Sequence, residues 1–175
     1  MTLQPPYDLI PAVETDAYIA LGSNQGDREL NLLRAVAELG MIPGCRMTAL
    51  SPFYETTPTG AAVGQDSFYN AVARVVCSLT ADELFRQLER IECDLFRRVR
   101  SGSCDPRRMD LDLLLFGEET ISTPHLTVPH PRFAGRRFVL QPLCDIAPDL
   151  RPPPGDRTVR ELLAGLTDDE RVVPV

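Results

Sequence analysis

The stretch DPRRMDLDLLLFG, residues 105–117, changes character within a few positions. Its second half is apolar enough for a buried strand. Its first half carries Asp110 and Asp112 with one leucine between them, and Arg107 and Arg108 just before. Successive side chains on a strand alternate faces, so the two aspartates point the same way. At about 3.3 Å of rise per residue, their Cβ atoms lie roughly 7 Å apart. Two carboxylates that close repel each other, and a cation between them removes the repulsion. The same strand closes a series that decides the fold.

Working outward, SLTADELFRQLERIECDLF (78–96) opens with Thr80-x-x-Glu83, a capping box, and repeats Leu84, Leu88, Ile91 and Leu95 on one helical face. FYNAVARVVCS (68–78) reads as a strand. MTALSPFYET (47–56) reads as another, which Pro52 assigns to an edge or a bulge. TPTGAAVGQDS between them is a loop on composition. AYIAL (17–21) is a buried strand, followed by a glycine turn in GSNQGD. Asp27 serves as N-cap for the helix RELNLLRAVAEL, and Gly40 stops it. Beyond the aspartate strand lie irregular, proline-punctuated segments, a short helix near VRELLAGL, and a tail, TDDERVVPV, expected to fray. The order β-α-β-β-α-β predicts an α+β, ferredoxin-like core: an antiparallel four-stranded sheet with two helices on one face, plus C-terminal extensions. The expected division is an extended leader over 1–16, one domain over 17–166 and a tail over 167–175.

Composition narrows the function. The chain has 175 residues, 43% apolar and 25% charged, with a net charge of −7. That balance argues against a nucleic-acid binder. No apolar run suffices for a membrane span, and the N-terminus lacks the basic start and apolar core of a signal peptide. The expectation is a cytoplasmic monomer. The five cysteines include no C-x-x-C pair, and the two histidines make a Cys/His zinc site improbable. All 18 basic residues are arginine. Without lysine there is neither a Walker-type phosphate loop nor Schiff-base chemistry. Arg97, Arg98, Arg100, Arg107, Arg108, Arg132, Arg136 and Arg137 fall within one segment around the aspartates. Planar guanidinium forks suit phosphate.

Each of these features has a plainer explanation. A bare D-x-D is common on half-exposed strands, and a charge run is usually a solvated face. The arginines flanking the aspartates favour a polyanion site, where Mg²⁺ would bind one or two carboxylates plus phosphate oxygens. Gly22-Ser23-Asn24 is a weak phosphate cradle. His130 lies in the arginine-rich region, three residues after Thr127. Phe68 and Phe138 fit a core on composition, and Asn70 carries an amide able to read a heterocycle.

IALGSNQGD, SPFYETTPTG, FYNAV, PRRMDLDLLLFG, LTVPHPR and RRFVLQPL occur in this order and spacing. Over roughly residues 17–150 the chain thereby resembles the 6-hydroxymethyl-7,8-dihydropterin pyrophosphokinases of folate biosynthesis. The resemblance implies transfer of the β,γ-pyrophosphate of ATP, the co-substrate, to the pterin hydroxymethyl oxygen. It implies two Mg²⁺ ions on Asp110 and Asp112, which are catalytic together with Arg98 and Arg107. It implies ATP contacts from Arg98, Arg100, Arg107, Thr127, His130 and Arg136. The pterin would stack between Phe68 and Phe138, with Asn70 and the Thr56-Thr57 backbone at its edge. Glu92 matches an acidic helix position whose expected job is to hold arginines. One departure stands out: Ser103 and Cys104 occupy the places where relatives carry an arginine and a tryptophan. A palm-like two-metal nucleotidyltransferase and a non-catalytic nucleotide sensor are the rival expectations. Neither needs the aromatic pair with Asn70.

Overall fold

The computed structural model describes residues 13–57, 66–96, 108–168 and 170–175. Its elements are β1 (Thr15–Ser23), α1 (Arg28–Met41), β2 (Cys45–Leu50), β3 (Tyr54–Thr56), β4 (Phe68–Cys77), α2 (Ala81–Phe96), β5 (Asp110–Phe116), β6 (Ile121–Ser122), β7 (Thr127–Val128), α3 (Arg137–Ile146), α4 (Val159–Ala164) and β8 (Val172–Pro174). The main sheet runs β5-β1-β4-β3-β8, with β2 also paired to β4, and its pairings are antiparallel. β6 and β7 form a separate small hairpin. The ferredoxin-like core is therefore present, with the expected second strand split in two. Pro52 has no N–H to give the ladder, so the strand breaks there. Ser51 bridges the gap: its N–H donates to the Val72 carbonyl at 2.9 Å, and its hydroxyl accepts from the Val72 N–H at 3.0 Å.

Helices cover both faces of the sheet. On one face, Leu32 and Leu39 of α1 and Leu84 and Leu88 of α2 pack with Ile19, Leu21, Ala73, Val75, Leu111 and Leu113. On the other, Leu140 and Leu143 of α3 and Val159 of α4 pack with Tyr18, Val72 and Leu114. Since Leu111 and Leu113 face α1 and α2, strand alternation places Asp110 and Asp112 on the α3 side. This is the layer that carries the expected site.

Several expectations need correction. β1 continues through Gly22 and Ser23, and the positive-φ turn belongs to Gly26, at 66°. Gly40 does not stop α1, which runs on to Met41 and is capped by Ile42. The Thr80–Glu83 capping box is present, with both backbone N–H groups satisfied at 2.8 and 3.3 Å. The apolar face of α2 ends on Phe96, 6% exposed, rather than on Leu95, 39% exposed. Part of the segment expected to be irregular forms α3, despite Pro142 within it. The tail expected to fray forms β8, pairing Val172 with Thr56. Among the described residues no helix is long and apolar enough to cross a membrane.

Candidate active site

β5 is an edge strand of the sheet, so part of its backbone faces away from β1. Leu111, between the two aspartates, donates its N–H to Oε1 of Glu92 at 2.7 Å. Glu92 is buried on α2. Its described contact is thus with the strand that carries the aspartates. The arginines it was expected to hold include Arg98, Arg100 and Arg107, which lie outside the described residues, as does Cys104.

His130 reaches the aspartates from the segment after β7. Its backbone N–H donates to the Leu114 carbonyl at 2.8 Å, which docks the segment on β5. The Arg132 N–H donates to His130 Nδ1 at 3.2 Å. That bond assigns the ring proton of the neutral imidazole to Nε2, which faces Asp112 Oδ2 at 3.9 Å. Burial, then the charges of Arg136 and Arg132, push the His130 pKa down to about 4. Arg136 is itself lowered, first by burial and then by Arg132, while Asp112 and Asp110 oppose the shift. Asp110, Asp112, His130, Arg132 and Arg136 therefore form one electrostatic cluster. Arg132 was not among the residues assigned from the sequence. Its position in the Pro-His-Pro-Arg run, two residues after His130, was the available signal. Thr127 is exposed on β7 and pairs with Ser122.

The lowered histidine yields a prediction for the metal-free protein. The folded state binds this proton less readily than the unfolded chain. Its contribution to stability is complete above the ordinary value of 6.5 and is lost as pH falls from there towards about 4. A titration of the His130 ring by NMR should therefore show no charge change near neutrality. A midpoint at the ordinary histidine value would contradict the burial and the two-arginine environment.

A second group of residues lies further across the same face. Sheet register aligns Asp110 with Gly22, Gly22 with Asn70, and Asn70 with Tyr54. Asn70 is buried and donates from Nδ2 to Thr56 Oγ1 at 2.7 Å. A Cβ on Gly22 would come within 3.0 Å of Asn70 Oδ1, so glycine leaves the amide its place. Phe68, half-buried, is paired with Thr56, and Thr57 is exposed just beyond β3. Phe138 is half-buried in the first turn of α3, with the Arg136 guanidinium 5.4 Å from its ring centroid. The Tyr54 hydroxyl donates to Asp145 Oδ2 at 2.6 Å, tying α3 to β3. Glu170, unassigned from the sequence, accepts the Phe138 N–H on Oε2 at 3.0 Å. Among the described residues no group of three or more His, Cys, Asp and Glu side chains could hold a metal ion. An ion on the aspartate pair would have to draw further oxygen ligands from substrate or water.

Residues 18–148 match the family described as 7,8-dihydro-6-hydroxymethylpterin-pyrophosphokinase (HPPK). A 2-amino-4-hydroxy-6-hydroxymethyldihydropteridine pyrophosphokinase of Pseudomonas aeruginosa is 43% identical over 147 residues, covering 84% of this chain and 89% of the relative. One of Bacillus subtilis is 42% identical over 156 residues, covering 89% and 87%. Among solved structures, a Plasmodium falciparum HPPK-DHPS superposes with a TM-score of 0.70 at 14% identity. That match covers 89% of this chain and 46% of the longer parasite chain, and it bears on fold alone. With 131 consecutive residues matched, an aspartate pair on the last core strand and a shared ferredoxin-like sheet, the chain belongs to the HPPK family.

Proposed function

We propose that this chain performs its family's reaction on the aspartate face of the sheet. The β,γ-pyrophosphoryl group of ATP passes to the hydroxymethyl oxygen of 6-hydroxymethyl-7,8-dihydropterin. The new bond joins that oxygen to the β-phosphorus. The bond broken is between the β-phosphorus and the bridging oxygen that leaves on AMP. One observation carries the reading. A single face of one sheet brings Asp110, Asp112, His130 and Arg136 beside the Asn70–Thr56 pair and Phe138. The first set suits a polyphosphate, the second a flat heterocycle.

The donor set fits magnesium: two carboxylates on one strand face, with Asp112 about two-fifths exposed and oxygen atoms as the only ligands supplied. Two Mg²⁺ ions on Asp110 and Asp112 would neutralise phosphate charge and acidify the pterin hydroxyl. Arg136, with Arg98, Arg100 and Arg107 from the sequence before β5, holds the phosphates. His130, neutral and with its proton on Nε2, offers them a hydrogen bond rather than a charge, and Thr127 contributes a hydroxyl from β7. Phe68 and Phe138 enclose the pterin ring. Asn70 and the backbone of Thr56 and Thr57 read its edge. This division of labour is positioning and charge neutralisation, which is what phosphoryl transfer requires. We place the enzyme in the cytoplasm as a monomer, in keeping with the free thiols of Cys45, Cys77, Cys93 and Cys144.

Product analysis tests the reading. With ATP, Mg²⁺ and 6-hydroxymethyl-7,8-dihydropterin, the expected products are AMP and the pterin pyrophosphate. ADP, free pyrophosphate or no turnover would overturn it.

A further inference from the structure

The C-terminal segment joins the Phe138 wall to the Thr56 edge, both assigned above to the pterin. At one end, Arg137 holds the tail twice: Nη2 donates to the Leu166 carbonyl at 3.1 Å, and Nε to Asp168 Oδ1 at 3.0 Å. Glu170 then accepts the Phe138 N–H at 3.0 Å, and its own N–H donates to Asp168 Oδ1 at 3.0 Å. Two residues later β8 begins. It pairs Val172 with Thr56, Val173 with Glu55 and Pro174 with Tyr54, and the Val175 N–H donates to the Phe53 carbonyl at 2.9 Å. One short run of chain thus bonds to the backbone of Phe138 and to the strand that carries Thr56. These residues lie beyond the matched family region, which ends at 148.

We infer that residues 166–168 and 170–175 act as a strap that sets the distance between Phe138 and the Thr56 edge of the pterin site, with Glu170 as its positioning residue. The inference rests on the reading of Phe138 as a pterin wall and of Thr56 as part of its edge. Its physical basis is preorganisation. A stacking ring on the first turn of a helix is useful only if that turn is already held at the width of the ligand. The Phe138 N–H is one of the donors that a helix start leaves without an intrahelical acceptor, and Glu170 satisfies it. Burial raises the Glu170 carboxyl above the usual carboxylate range, so its charge is held at a cost. What the strap requires from the side chain is an acceptor oxygen. A glutamine supplies that oxygen and an alanine does not.

The test measures binding of 6-hydroxymethyl-7,8-dihydropterin in the presence of a non-hydrolysable ATP analogue, binding of the analogue alone, and thermal unfolding. The proteins are wild type, Glu170→Ala, Glu170→Gln and a chain ending at Thr167. Glu170→Ala should weaken pterin binding about tenfold, the scale of one lost hydrogen bond to a charged acceptor. The analogue should bind as before, and Glu170→Gln should restore most of the pterin affinity. The shortened chain should lose at least as much pterin affinity as Glu170→Ala. Unchanged pterin binding in Glu170→Ala would overturn the strap while leaving the site reading intact. So would a parallel loss of both ligands with melting temperature, which would make the tail merely structural. A glutamine variant as impaired as the alanine one would overturn the acceptor role. Failure of the wild type itself to bind the pterin would overturn both readings.

Discussion

Replacing Asp112 with asparagine should lower turnover roughly a thousandfold and leave the fold intact. The exchange preserves shape and removes one charge from the strand face that also carries Asp110. If the pair holds Mg²⁺ against the triphosphate, the loss falls on transition-state charge stabilisation worth several kcal/mol. At about 1.36 kcal/mol per factor of ten, that corresponds to the stated range. Stability without metal should stay constant or rise, because two like charges on one strand face no longer repel. Asp112 also faces His130 at 3.9 Å. In the metal-free variant the histidine should titrate no higher than in the wild type, since a nearby negative charge has gone. Initial rates at saturating substrates, with melting curves in chelator, provide the check. Near-normal turnover in Asp112→Asn would end the assignment of the pair to metal.

Arg136→Gln should reduce turnover by about 10²- to 10³-fold, the range seen when one preorganised donor to developing charge is removed. Arg136 is a half-buried guanidinium held among Arg132, Asp110 and Asp112, and its charge is kept there against partial desolvation. A desolvated cation beside the proposed phosphate site is a candidate for holding an anion. The same change takes a cation from the face of Phe138, 5.4 Å away, worth about 0.5–1 kcal/mol at an exposed site. Pterin affinity should therefore fall slightly and ATP affinity strongly. Arg132→Gln is the control: that residue is exposed, and its substitution should cost less. Equal effects at both positions would mean that general positive potential matters here and that Arg136 makes no specific contact.

The parts of this molecule that were legible in its sequence are those governed by local periodicity. Leu84, Leu88 and Ile91 recur at helical spacing and line the core from α2. Asp110 and Asp112 alternate with Leu111 and Leu113, and the buried leucines fix which face the acids take. The roles proposed for Phe138 and Arg136 rest on the resemblance, because their spacing alone does not separate a ligand wall from a core, whereas Asn70 also stood out as an amide on a strand. The unread parts depend on contacts between distant residues. Glu92 meets the Leu111 N–H across 19 residues, and Glu170 meets the Phe138 N–H across 32. No local pattern announces such bonds. α3 was hidden by Pro142, which reads as a helix breaker until the packing of Val139, Leu140 and Leu143 outweighs it. The tail looked frayed because two aspartates and a glutamate precede VVPV. Asp168 and Glu170 are in fact the residues that fasten it to α3.

The most direct test of pyrophosphoryl transfer follows the fate of each phosphorus atom. Two reactions are run with the pterin and Mg²⁺, one with ATP labelled at the α-phosphorus and one with ATP labelled at the γ-phosphorus. The α label should leave entirely as AMP, and the γ label should appear on the pterin. An α label retained on the pterin, with the γ label released as free pyrophosphate, would show nucleotidyl transfer instead and contradict the assignment of this site.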